Sequence, residues 1–150
     1  MHEVLFPILL VLSGWLAYPA GCVVVLLNLD TGDQRHIINE ERKTVTCLSW
    51  SSDAQHLVTG ESGHRPCVRV WSVSTLSLVS TLPGHKFGLS CVSFTGDDDH
   101  VVAAGAEHDM TINVWDWRNN KKIASNKISF HVKSISIAHN GTCFVAAGNR

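Results

Sequence analysis

The chain has 150 residues, the length of one ordinary domain, and 45% of them are hydrophobic. A charged fraction of 17% and a formal net charge of -1 argue against whole-chain disorder and against a broad field for nucleic acid or anionic lipid. Five cysteines, at 22, 47, 67, 91 and 143, form no C-x-x-C pair, which argues against a disulfide framework or a four-thiolate zinc site.

The first segment, Val4 to Leu29, carries no charged residue. Its left half, "VLFPILLVL" (4–12), stands where an innermost strand would lie, has Pro7 inside it, and has the length of a signal-peptide apolar region. Met1-His2-Glu3 supplies no positive charge ahead of it. A membrane span needs about 20 apolar residues, and Pro7, Ser13, Gly14, Pro19 and Gly21 interrupt the run. The strand reading leads, the signal-like reading follows, and an anchor comes last. Residues 1–14 are set apart as a divergent apolar N-terminus. The right half aligns with a later segment: "GCVVVLLNLDTG" (21–32) on "PCVRVWSVSTLS" (66–77), Cys22 on Cys67 and Leu26 on Trp71. That predicts a third strand, with "WLAYP" (15–19) as the second and "QRHII" (34–38) as the outer one.

The remaining elements come in sets. "VTCLSW" (45–50), "LSCVSF" (89–94) and "VKSISI" (132–137) alternate with period two, as strands do. "HLVTGE" (56–61), "HVVAAGA" (100–106) and "CFVAAGN" (143–149) follow them, and then "CVRVWSV" (67–73) and "TINVWDW" (111–117). Trp50 to Phe94 is 44 residues, Trp71 to Trp115 is 44, and Gly105 to Gly148 is 43. Turn residues separate the strands, and Asn140-Gly141 is a strong hairpin signal because both central positions of that turn need positive φ. No helical stripe is present.

A period of 43–45 residues with about four strands, and Trp-Asp closing the third, is the pattern of a propeller blade. The chain resembles the WD-repeat family in Gly84-His85, the turn residue Asp109 and Trp115-Asp116. In that family the His, the turn Asp and the Trp tie loops to strands, so the resemblance implies a structural network of His85, Asp109 and Trp115. Ala104 takes the place of the family's second-strand Ser or Thr. The preceding unit keeps Thr59 and Trp71 but has Arg65 where the Asp belongs and no Gly-His. Hydrophobic packing is expected to hold it. The phrases "AYPAGCVVVLLN" (17–28), "LVTGESGHRPCVRVW" (57–71), "IASNKI" (123–128) and "AAGNR" (146–150) are similar to the amino-terminal blades of the mitogen-activated protein kinase-binding, Jun-kinase scaffold family.

The fold expectation is therefore all-β: a partial WD-repeat propeller of just over three four-stranded blades, not closed. The blades span about 15–38, 45–82, 89–128 and the start of a next one at 132–150. The chain reads as a fragment whose open flanks favour self-association.

No catalytic, cofactor or metal residues are predicted. His56 and His100, like His64 and His108, are 44 apart and fall on successive units rather than in one cluster. Cys47 and Cys91 sit inside strands, where a packing thiol is the default. Asp97, Asp98 and Asp99 read as a hairpin turn, Asn140-Gly141-Thr142 as a sequon only in a secreted chain, and Lys121, Lys122 and Lys127 as a solubilising edge. The resemblance implies a non-enzymatic protein-interaction module of a stress-activated kinase scaffold, cytoplasmic, at the centrosome or spindle pole. The alternative is a structural microtubule-associated WD-repeat protein. Expected partners are proteins, kinase-cascade components or tubulin and centrosomal proteins, without nucleic acid or membrane.

Overall fold

The computed structural model describes residues 10–138 and 143–149, all in strands and their connections. The strands are β1 (Leu10–Leu12), β2 (Trp15–Ala20), β3 (Val23–Asn28), β4 (Gln34–Ile38), β5 (Val45–Trp50), β6 (His56–Glu61) and β7 (Cys67–Ser72). They continue as β8 (Leu78–Pro83), β9 (Leu89–Phe94), β10 (His100–Gly105), β11 (Thr111–Asp116), β12 (Lys121–Lys127), β13 (His131–Ile137) and β14 (Phe144–Asn149). They form three four-stranded sheets, β1–β4, β5–β8 and β9–β12, followed by the β13–β14 pair. Every pairing is antiparallel between chain neighbours, so short turns suffice as connections. The innermost strands β5, β9 and β13 lie side by side, and Thr46 Oγ1 donates to the Leu89 carbonyl at 2.7 Å across the first of these junctions.

Both faces of each middle sheet are covered by neighbouring sheets, which explains the apolar runs in β6 and β10. Ala17, Val24, Leu26 and Ile37 of the first sheet meet Val45, Leu48, Leu57 and Trp71 of the second. Val58, Val68, Val70 and Leu82 leave the other face of the second sheet and meet Val92, Val101 and Trp115 of the third. A third cluster joins Val102, Ala104 and Ile112 to Val132 of β13. Trp71 and Trp115 therefore face back onto the preceding sheet. The outer strand β12 is exposed along its whole length, Lys121, Lys122 and Lys127 included.

The register corrects the alignment of the first unit by one residue. Leu16 pairs with Leu27 as Leu57 pairs with Trp71, so Leu27, not Leu26, holds the tryptophan place. Leu26 corresponds to Val70 and points toward the second sheet. A one-residue slip exchanges the two faces of a strand, and in β3 both faces are apolar, so the sequence pattern could not fix it. Among the described residues the first sheet runs from Leu10, with Leu12 opposite Trp15 across a turn in which Ser13 and Gly14 both take positive φ. Residues 4–9 of the opening apolar run, and the Asn140-Gly141-Thr142 turn and sequon, lie outside the described residues.

Candidate functional site

The residues singled out by the repeat lie at the end of the sheets that carries the β8–β9 loop and the β10–β11 turn. His85 leaves β8 and is buried against Trp115, with ring centroids 5.6 Å apart. Its Nδ1 meets Asp109 Oδ2 at 2.6 Å and its Nε2 meets the Asn113 amide nitrogen at 3.0 Å. Because the amide donates to Nε2, the imidazole proton belongs on Nδ1, pointed at the carboxylate. Thr111 Oγ1 donates to Asp109 Oδ1 at 2.9 Å, and the Lys86 backbone N–H donates to Oδ2 at 3.2 Å. Burial pulls the His85 imidazole below its ordinary range; Asp109 acts in the opposite direction and Lys122 adds to the lowering. The ring is neutral at neutral pH, so this is a hydrogen-bonded pair rather than an ion pair.

Gly105 makes the network possible. A Cβ there would stand 2.6 Å from Asp109 Cβ, which no side chain could accept. The equivalent position one sheet earlier is Glu61, because Leu89 opposes Gly105 as Val45 opposes Glu61. Glu61 is fully buried. Its Oε1 accepts from Asn39 Nδ2 at 2.9 Å and from Arg69 Nε at 2.5 Å, and its Oε2 accepts from the Cys67 N–H at 3.2 Å. Arg69 Nη1 reaches Thr81 Oγ1 at 3.3 Å. Lys43 Nζ lies 3.9 Å from Glu61 Oε2 and donates to the His64 and Arg65 carbonyls at 2.9 Å each.

This overturns the expectation that hydrophobic packing alone holds the second sheet. Its carboxylate comes from the strand end rather than from the turn, and Arg65, in the turn, is exposed. Asn39, Glu61 and Arg69 were not singled out from sequence. The signal was the pair of exchanges between units, Glu61 for Gly105 and Arg65 for Asp109.

Thr59 and Trp71 also meet: Trp71 Nε1 donates to Thr59 Oγ1 at 2.9 Å within the buried core. Thr59 opposes Arg69 as Ala103 opposes Asn113. The residue in the threonine's place in the third sheet is thus Ala103, a correction of Ala104 by one position. Among the described residues Asn113 Oδ1 is buried and has no hydrogen-bond partner. The other conspicuous side chains stay apart. His64 and His108 flank the exposed Phe87 with centroids 6.2 Å from it, on successive turns. Burial pushes the Cys47 thiol up to about 12 and raises Cys91 as well, so both stay protonated at neutral pH. Among the described residues no three His, Cys, Asp or Glu groups are placed to hold a metal ion, and no helix is long and apolar enough to cross a membrane.

The WD domain, G-beta repeat family matches residues 32–72 and 76–116. The chain belongs to that family. The matched segments each run from one turn through the next third strand, which is where the two networks above lie. Among relatives, the chain is 60% identical over 138 residues to mitogen-activated protein kinase-binding protein 1 of Mus musculus. It is 59% identical to the Homo sapiens protein of that name and 54% identical to WD repeat-containing protein 62 of Sus scrofa, again over 138 residues. Those matches cover 92% of this chain and 9% of each relative, so the chain spans about a tenth of their length. A chain in the crystal structure of a mitotic checkpoint complex superposes with a TM-score of 0.82 over 94% of this chain and 45% of its own length. At 14% identity that likeness shows the fold alone. The sheets are propeller blades, unclosed, and the chain is a WD-repeat protein-interaction module related to these proteins.

Proposed function

We propose that residues 15–150 supply consecutive propeller blades to a non-enzymatic scaffold of the stress-activated kinase cascade, acting in the cytoplasm and at the spindle pole. The observation that carries this reading is identity of 54–60% over 92% of the chain to kinase-binding and WD-repeat relatives. The buried networks at His85–Asp109 and Glu61–Arg69 have structural roles: each pins a loop between blades and leaves the loop surface free to bind.

The direct test uses the full-length protein. Immobilised, it retains Jun-kinase cascade components from defined mixtures, and a version lacking residues 15–150 loses at least part of that retention. Retention of tubulin in microtubule co-pelleting, with no kinase retained, would favour the structural microtubule role instead. The isolated chain exposes Val145 and Phe144 on an edge hairpin and Leu78 and Val79 on an outer strand. It self-associates in sedimentation velocity; a monodisperse, cooperatively melting monomer would count against the open-flank reading.

A further inference from the structure

The two junctions between complete sheets differ at the end opposite the His85 loops. Between the second and third blades, Trp117 fills the gap. It is buried, its ring centroid is 4.9 Å from that of His56 and 5.9 Å from that of Phe94, and its Nε1 donates to the Asp98 carbonyl at 2.8 Å. Ser80 Oγ donates to the Trp117 carbonyl at 2.7 Å. The Asp98 carboxylate crosses the same junction to the Ser52 N–H and hydroxyl.

One period earlier the same positions are differently filled. Register places Trp15 where His56 stands, Trp50 where Phe94 stands and Arg35 where Ser80 stands. Ala54 replaces Asp98 with the same left-handed backbone, φ 58° in both. Val73 replaces Trp117. The result is a cleft of about 280 Å³ walled by Trp15, Arg35, Trp50 and Val73, with the polar Asp53 and Gln55 at its edge. That is just below the range of small-molecule sites, roughly 300 to 1,000 Å³, and it suits one large side chain. The Arg35 guanidinium lies 4.9 Å from the Trp15 ring centroid, at the wall of the cleft.

We propose that this cleft is a seat for a tryptophan side chain presented by a partner protein. The claim rests on the interaction-module reading and names the partner's anchoring group. The shape argument is internal to the molecule: the homologous space one blade on accepts an indole. Two of its walls are half-buried tryptophans, so an entering indole meets aromatic side chains beside the polar edge. Arg35 stands where Ser80 holds the Trp117 backbone carbonyl, and its fixed fork of N–H donors suits the carbonyl of an incoming residue. Tryptophan is also among the residue types enriched at the anchoring points of protein interfaces.

The test is ligand-observed fluorine NMR on the full-length protein, with N-acetyl-5-fluorotryptophanamide as the probe. Saturable line broadening is expected, and Val73→Trp, which fills the seat from within, reduces it about tenfold or more. Arg35→Ala weakens the amide probe and leaves 5-fluoroindole, which has no carbonyl, nearly unchanged. A diazirine derivative of the probe labels segments containing Trp15, Trp50 or Val73 in the unaltered protein, so the outcome stands even if Val73→Trp fails to fold. Absence of saturable binding overturns the proposal. So does binding that Val73→Trp leaves intact, or labelling confined to other segments. Kinase retention by the full-length protein is read separately, so failure of this proposal and failure of the scaffold reading are distinguishable.

Discussion

The second and third blades solve one structural problem in two ways. Both bury a carboxylate at the loop end, beneath the connection that enters the blade. In the third blade the carboxylate belongs to Asp109 in the turn, it faces a neutral histidine, and Gly105 leaves room for it. In the second it belongs to Glu61 at the strand end, and it faces Arg69 and Asn39. The first solution is a hydrogen bond between a charged and a neutral group. The second is a buried ion pair that must be complete to be tolerated. The blade position is what the fold preserves, and the residue that reaches it can change.

Mutations can break that comparison, beginning with the tryptophans that both blades share. Trp115 is 1% exposed and Trp71 5%. Replacing Trp115 with Ala is expected to cost about 3–5 kcal/mol, and Trp71→Ala the lower part of that range, read in urea unfolding. If Trp115→Ala melted no earlier than wild type, the blade core described here would be wrong.

Glu61→Gln comes next. It leaves Arg69 buried and uncompensated, with an expected loss of about 3–5 kcal/mol. Asp109→Asn removes the anionic acceptor opposite a neutral ring and is expected to lose less, about 1.5–3 kcal/mol. Equal losses from the two would erase the distinction between the blades.

Acid sharpens the same contrast. Burial holds the folded-state pKa of His85 below its unfolded value of about 6.5. The unfolded chain therefore binds the proton first. The stability contributed by the neutral ring is fully present above about pH 6.5 and is lost as pH falls through the folded pKa. Melting curves taken downward from pH 7 should show an acid-side loss that His85→Gln reduces. An unchanged profile in that variant would remove His85 as its source.

The smallest effect belongs to Thr59→Val, which leaves the buried Trp71 Nε1 without its acceptor and is expected to cost about 1–2 kcal/mol. The third blade, with Ala103 at the equivalent place, is already without it.

Repeat spacing made most of this architecture legible in the chain itself. Strand identity, the 44-residue period, the loop position of His85 and Asp109 and the absence of helix among the described residues follow from short-range patterns, because strand alternation and turn chemistry act within a few residues. The pairing of Thr59 with Trp71 was also readable, since both recur at family positions. Three things needed tertiary structure. The register of β3 did, because a strand apolar on both faces carries no mark of which way Leu26 and Leu27 point. The Glu61–Arg69–Asn39 network did, because these residues span 39 to 69 and meet only when the sheet is formed and the loop after β4 folds over it. The cleft between the first and second blades did as well. Val73 and Ala54 look unremarkable in sequence, and their meaning appears only beside Trp117 and Asp98, in the same seats one blade on. Sequence determines what each strand can bury; the side of a blade it faces, and the space left between blades, are decided by packing, which depends on neighbours that local pattern does not encode.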